Sequence, residues 1–391
     1  MANTPMPHPA PSPWFHPPAP LPRPVRAVGA PLAVVVSLGV LTCCLVLLFT
    51  ALNPVGAIIG LVLSSIAMAG VILAYLWLDR FEPEPPRLLL FAFGWGASVA
   101  VVLSVILSLL GDALFPPNPM LPEGFGSTAI RAPIIEEAAK GLFLLIMMTG
   151  RRRNELNSLT DCLVYAGMVG VGFAWLEDIM YISSADSVAG SLVTAAMRLV
   201  MAPFAHSLFT TMTAIGVFYA LHRRSGAAKA LCILLGYLAA VLMHGLWNGS
   251  SLLGLDTYFV VYVVWMVPIF ALTIVLAVHS RRREQRIVAA KLPGMVDANL
   301  ITPNEATWLG SLRTRRDAIT VATRAGGRPA GRSVAEFASA VVELAFVRDR
   351  IDRGFGDQRV YALLQEEVNA VAHARGAAPI LGWLAHYRAA R

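Results

Sequence analysis

Two adjacent carboxylates, Glu136 and Glu137, open a stretch of chain that is otherwise typical of a membrane span. An acidic residue at the centre of a bilayer costs about 2.5–3.5 kcal/mol on insertion scales, so such acids are paired, hydrated, neutralised or bound to a metal. Lys140 follows Glu136 by four residues and shares its helix face, so the two are predicted to pair. Glu137 is turned about 100° away and is predicted to stay free for another partner. The alternative interpretation is structural: a buried ion pair beside one interfacial glutamate.

Three later apolar segments carry further side chains of the kinds used in hydrolytic sites. Glu177 lies in the first segment. His206 lies in the second, about two turns after Arg198, and His244 and Asn248 share one helix face in the third because they are four residues apart. Each has a structural interpretation as well, either as a hydrated acid near a span end or as a hydrogen-bonding residue between helices.

The composition is that of an integral membrane protein. Of the 391 residues, 57% are hydrophobic and only 14% are charged, whereas soluble domains carry about 25% charged residues. The net charge of +7 comes from short positive runs at the ends of apolar segments. These runs indicate membrane topology and not a nucleic-acid surface. The four cysteines have neither zinc-site spacing nor the pattern of a disulfide framework.

The chain is predicted to be all-α and polytopic, with about eight transmembrane helices. Pro203 is expected to break the sixth, and the fourth is the most polar. The candidate spans are 31–52, 55–79, 88–112, 129–149, 159–182, 191–221, 228–250 and 257–279.

Arginine and lysine fall in alternate loops, which predicts the orientation. The loops near 53–54, 113–128, 183–190 and 251–256 contain neither residue. Both termini are therefore expected to be cytoplasmic, in a multi-pass protein of the plasma membrane. This orientation brings the carboxylates and histidines to one depth in the outer half of the bilayer, which predicts one water-filled cavity that opens outward.

Three regions are expected along the chain. Residues 1–28 are predicted to be a disordered cytoplasmic tail because ten of the first 24 residues are proline. Residues 29–280 form the membrane domain. Residues 281–391 form a small cytoplasmic helical region, in which the Gly- and Arg-rich segment 322–332 is predicted to be a linker.

The motifs together resemble the PrsW family of intramembrane proteases, which is related to the CAAX prenyl endopeptidase and bacteriocin-processing group. The resemblance covers about residues 79–250. It begins with the Asp-Arg-Phe-Glu-Pro-Glu-Pro run at 79–85 and continues with Glu-Glu-x-x-Lys at 136–140, Phe-x-x-x-Glu at 173–177 and the two later histidines. The family often has asparagine after the second-motif glutamate, and this chain has Asp178.

The resemblance implies that the chain is a bacterial peptidase that cleaves a membrane-anchored protein such as an anti-sigma factor. Glu137 is then predicted to be the general base, with Glu136 paired to Lys140. Glu177 is expected to orient the water or share its proton, and Asn248 to position the substrate carbonyl. His206 and His244 are expected to bind a metal or to stabilise the oxyanion.

Two mechanisms and two other functions remain open from the sequence. Glu137, His206 and His244 could form a zinc site with an open water position, or a glutamate could activate water without a metal. The version without a metal is slightly favoured because the histidines come singly from separate spans. A proton-coupled transporter also uses buried Glu, His and Arg residues, and an inactive scaffold would bind single-span partners without cleaving them.

Overall fold

The computed structural model describes residues 29–115 and 124–389, and within these ranges the chain forms helices and no β-strand. The prediction of an all-α membrane protein is confirmed. The prediction for residues 1–28 lies outside the described residues. The described residues divide into two compact units, 29–281 and 282–389.

The first unit is a bundle of apolar helices, several of which are joined by single π-helical turns. These turns lie at Trp95–Ala100, Gly126–Arg131, Ala196–Met201 and Tyr262–Met266. The α-helices are α1 (Leu32–Leu52), α2 (Pro54–Leu78), α3 (Pro86–Gly94), α4 (Val101–Leu114), α5 (Ala132–Met147), α6 (Leu159–Ser183), α7 (Val188–Ala195), α8 (Ala205–Leu221), α9 (Gly226–Leu252), α10 (Leu255–Val261) and α11 (Val267–Asp297), which begins in this unit.

Seven helical segments of the described residues are long and apolar enough to cross a membrane, one fewer than the sequence predicted. They are Leu32–Leu52, Pro54–Phe81, Pro86–Leu114, Leu159–Ser183, Val188–Leu221, Gly226–Leu252 and Leu255–Asp297. The fourth predicted span does form a helix, made of the turn Gly126–Arg131 and α5. It is not among the seven because it carries four charged side chains: Arg131, Glu136, Glu137 and Lys140. That this helix crosses the membrane stays a prediction.

The sixth predicted span is broken where the sequence indicated. Helical geometry ends at Met201 and resumes at Ala205, with Pro203 between them. Proline lacks the backbone N–H that an uninterrupted helix requires, which accounts for the interruption. The break places His206 in the first turn of α8.

Helix α6 is the centre of the bundle, since most of its residues are buried. It packs against α2, α3 and α8. At Gly170 an added Cβ would lie 2.5 Å from the Cα of Ser207, so only glycine permits this approach of α6 to α8. At Gly245 an added Cβ would lie 2.6 Å from the carbonyl oxygen of Ala129, which holds α9 close to the start of the α5 segment. These two contacts bring α5, α6, α8 and α9 together around one point.

The second unit contains a small helical core. Its helices are α12 (Pro303–Leu309), α13 (Leu312–Arg350), α14 (Gln358–Gly376) and α15 (Ile380–Trp383). Trp308 packs against Phe337, with ring centroids 6.3 Å apart. The linker predicted at 322–332 is wrong: these residues lie within α13, which is kinked at Gly327, where φ is 76°.

Candidate active site

Three charged side chains project from α5 into the centre of the bundle. The ammonium of Lys140 lies 2.9 Å from Oε1 of Glu137 and 3.4 Å from Oε2 of Glu136. Glu136 pairs with Lys140 as predicted, but the lysine also pairs with Glu137, which the sequence predicted to be free for a different partner. Residues three apart are neighbours on a helix as much as residues four apart, so one lysine reaches both carboxylates. Lys140 is fully buried, and its ammonium lies 3.8 Å above the ring of Phe173.

Glu137 is enclosed by hydrogen-bonding partners and has no exposed surface. Besides the lysine, its Oε1 lies 3.0 Å from Nδ1 of His244. The hydroxyl of Thr210 lies 3.3 Å from its Oε2 and 2.9 Å from the backbone carbonyl oxygen of His206, so its single proton is shared between these two acceptors. Both carboxylate oxygens are thus engaged by the protein, and this residue orients His244 and Lys140.

Glu136 has a different environment although it is the neighbouring residue. It lines a cavity of about 500 Å³ that also includes Glu177. Its Oε2 lies 3.8 Å from Nε2 of His244. Because Nδ1 of that ring faces Glu137, Nε2 is the nitrogen left to act together with Glu136. Of the two adjacent glutamates, Glu136 is the one that faces the cavity.

His206 connects the lysine to a second charged group. Its Nδ1 lies 3.0 Å from the ammonium of Lys140, and its Nε2 lies 2.7 Å from Oε2 of Glu177. An ammonium group only donates hydrogen bonds, so Nδ1 accepts and Nε2 carries the proton given to Glu177. Arg198 binds Glu177 and also donates to Asp178 over 2.5 Å. Arg198 thus contacts the predicted site residue Glu177, and its supporting role stays a prediction.

The cluster carries excess negative charge. Its four carboxylates are Glu136, Glu137, Glu177 and Asp178, and its cations are Lys140 and Arg198. With both imidazoles neutral and every acid ionised, two negative charges are uncompensated. In a low-dielectric interior such charge favours the uptake of a proton or a metal cation.

One set of donors in the cluster suits a metal ion. Ligand atoms of Glu136, His206 and His244 all lie within 4.8 Å of one another. The set predicted from the sequence contained Glu137 in place of Glu136, whereas the group whose ligand atoms lie together in the structure contains Glu136. Two histidines and one glutamate are a known zinc-hydrolase ligand set. The hydrogen bond that Nδ1–H of His244 donates to Glu137 is the usual support for a metal-binding imidazole. The residues therefore fit zinc, although His206 would have to release Lys140 or Glu177 to bind it.

The side chain of Asn248 makes its hydrogen bond to a residue outside this cluster. Its side-chain amide donates to the backbone carbonyl of Thr128 over 3.1 Å, which ties α9 to the turn before α5. The structure thus gives it a helix-packing contact, and its contact with a substrate carbonyl stays a prediction. Thr210 was missed by the sequence reasoning. Its spacing of four residues from His206 places both on one face of α8 and could have identified it.

One family model and two curated relatives match this chain, and all three are described as PrsW proteases. The matching family model is that of the PrsW family of intramembrane metalloproteases, and it covers residues 84–273. Protease PrsW of Geobacillus kaustophilus (strain HTA426) is 24% identical over 190 residues, which is 48% of this chain and 78% of that protein. Protease PrsW of Oceanobacillus iheyensis is 24% identical over 211 residues, which is 54% of this chain and 91% of that protein. No solved structure matches the chain significantly.

The matched range contains all the side chains of the cluster described above, and α1 and α2 precede it. Residues 84–273 are thus similar to the PrsW family of intramembrane proteases, and the resemblance predicted from the sequence is confirmed.

Proposed function

We propose that this chain hydrolyses a peptide bond of a membrane-anchored protein, such as an anti-sigma factor, in the cavity that Glu136 faces. The observation that carries the proposal is the contrast between the two neighbouring glutamates. Glu136 lines the cavity, whereas Glu137 is fully enclosed by Lys140, His244 and Thr210.

In the proposed reaction Glu136 is the general base. It takes a proton from a water held beside it and Nε2 of His244, and the resulting hydroxide adds to the scissile carbonyl. Glu136 then returns the proton to the departing amine, so proton transfer is balanced over the reaction. General-base catalysis of this kind contributes about 10²- to 10⁴-fold to a rate. The cationic groups of Lys140 and Arg198 offset the negative charge that develops nearby.

A metal ion is compatible with the same residues. Glu136, His206 and His244 would hold it, and it would supply a more acidic water and a Lewis acid for the carbonyl. Glu137 keeps the same part in either case, since it fixes the orientation of the His244 ring.

The metal content of the purified protein distinguishes the two versions. We expect well under one zinc per chain, because both ring nitrogens of His206 are already engaged by protein groups. Elemental analysis of the protein purified without chelator checks this. Stoichiometric zinc that disappears in both His206→Ala and His244→Ala would instead assign these residues as metal ligands.

The proposed orientation places the cavity in the outer half of the bilayer. Reporter fusions at Asp186 and Leu253 are expected to report the outside, and fusions at Arg151 and Arg224 the cytoplasm, by the positive-inside rule. An inverted pattern would place the site toward the cytoplasm. If the fusions at Arg151 and Asp186 reported the same side of the membrane, α6 would not cross it.

The proposed function is tested by comparing membrane-protein fragments in cells that express the wild type or Glu136→Gln. We expect at least one single-span protein to lose a specific fragment in the variant. A proton-coupled transporter or a non-catalytic scaffold would leave the fragment pattern unchanged, which would reject the proposal. A protein that loses its fragment is the physiological substrate or acts downstream of it, and cleavage by the purified enzyme separates these cases.

A further inference from the structure

The cavity beside Glu136 continues as a crevice between α1, α4 and α6. Ser104 of α4 lines it together with Glu136 and Glu177. Two residues at its rim are large and exposed: Leu52 at the end of α1 (74%) and Leu109 of α4 (65%). In a membrane-spanning bundle such side chains face lipid, so the crevice opens toward the bilayer.

Among residues 29–115 and 124–389, the hydroxyl of Ser104 lacks the partner that most hydroxyls in these helices have. The residue is 6% exposed, and its Oγ has no hydrogen-bond partner within the described residues. Other hydroxyls in these helices donate to the carbonyl four residues earlier, as Thr42, Thr50 and Thr211 do over 2.8–2.9 Å. A buried hydroxyl without a partner costs about 1–3 kcal/mol, and a polar group that entered the crevice and bonded to Ser104 would remove this cost.

Two other buried hydroxyls in this unit also lack a partner in the described part of the chain, Ser64 of α2 and Thr213 of α8. Neither lines the crevice. The missing partner alone therefore does not mark a site. The combination at Ser104 does, because this residue lines the same cavity as the proposed catalytic carboxylate.

The bilayer determines which kind of substrate the crevice would bind. The peptide carbonyls of a helical substrate are hydrogen-bonded within the helix, so the segment that is cleaved must unwind. Each backbone N–H and C=O freed by unwinding then needs a partner, since hydrocarbon supplies none. A serine hydroxyl can donate to a carbonyl and accept from an N–H.

We propose that the crevice binds the unwound backbone of the substrate's membrane segment and that Ser104 is the positioning residue that hydrogen-bonds this backbone beside Glu136. The proposal rests on the proposed hydrolysis and names its substrate class: single-span segments that are interrupted near the catalytic depth. One wall of the crevice is formed by Phe49, Leu52 and Asn53, which lie outside the matched range 84–273. That wall is therefore a part of the crevice that the family match does not cover.

The test is a binding measurement that does not depend on hydrolysis. The probe is a fluorescent synthetic single-span peptide whose outer half contains a Gly-Pro pair, and its control has Ala-Leu at the same place and stays helical. Both peptides are titrated against full-length Glu136→Gln protein in nanodiscs. We expect the interrupted peptide to bind more tightly than the helical one, and Ser104→Ala to weaken it about 3- to 10-fold, the range of one hydrogen bond.

Two matched variants separate positioning from structure. Ser104→Thr keeps the hydroxyl and is expected to retain most of the binding, whereas Ser64→Ala removes a buried unpartnered hydroxyl away from the crevice and is expected to change nothing. Equal binding by Ser104→Ala, equal weakening by Ser64→Ala, or no preference for the interrupted peptide would overturn the proposal. Binding that depends on Ser104 without hydrolysis by the wild type would instead reject the protease mechanism and leave the crevice assignment standing.

Discussion

Purified Glu136→Gln protein is expected to cleave its substrate at least about 10²-fold more slowly than the wild type, the effect of a lost general base. The change keeps the size of the side chain and removes the one acid of the pair that lines the cavity. It leaves Lys140 with Glu137 and His206 as close partners. Folding should therefore be preserved, and the loss should fall on kcat when initial rates are measured over a range of substrate concentrations.

Glu137→Gln is the matched comparison for this experiment. That substitution removes the carboxylate from fully buried partners, so its main effect should be a lower unfolding temperature, with loss of activity as a consequence of disturbed geometry. If Glu137→Gln were inactive with an unchanged unfolding temperature while Glu136→Gln retained cleavage, the roles of the two glutamates would be the reverse of those assigned here.

Lys140→Met is expected to destabilise the protein by about 3–5 kcal/mol, the cost of breaking a buried ion pair by removing one partner. Methionine matches the length of the lysine stem but leaves the enclosed carboxylate of Glu137 without its cation. Thermal or denaturant unfolding in detergent measures the loss. The affected partner is chiefly Glu137, at 2.9 Å, and only secondarily Glu136, at 3.4 Å.

The double variant Lys140→Met/Glu137→Gln is the control for this prediction. Removing both members of a buried pair is far less costly than removing one, so the double variant should be more stable than Lys140→Met alone. A Lys140→Met protein that unfolds at the wild-type temperature, or a double variant less stable than the single one, would contradict the ion pair described here.

The sequence identifies most residues of the cluster because each polar side chain in a membrane span is costly and therefore stands out. Glu177, His206 and His244 each stand out in an apolar segment, and the break at Pro203 is visible in the sequence. Their shared location follows from topology, which the alternation of charged loops indicates.

The different environments of Glu136 and Glu137 could not be predicted from the sequence in the same way. Which of two adjacent residues faces a cavity depends on the rotation of α5 about its axis, and tertiary contacts such as that of Gly245 with Ala129 bear on this rotation. The flexible stem of Lys140 also makes helical spacing a poor guide to its partner.

Ser104 illustrates the other limit of sequence reasoning. Serine is common in membrane helices, where its hydroxyl usually bonds to its own backbone. Nothing in the residue type distinguishes Ser104 from Ser37, which bonds to the carbonyl of Ala33 over 2.9 Å. Only the three-dimensional position shows that Ser104 lines the cavity beside Glu136.

The most direct test of the central claim is cleavage of a single-span substrate by purified protein in water enriched in heavy oxygen. The wild type is predicted to give two fragments, with a heavy oxygen atom in the new carboxyl terminus, because Glu136 activates water for attack on the scissile carbonyl. Glu136→Gln protein purified in the same way is predicted to give neither fragment. Equal labelled fragments from the wild type and from Glu136→Gln would contradict the account, since the carboxylate that faces the cavity would then have no part in the reaction.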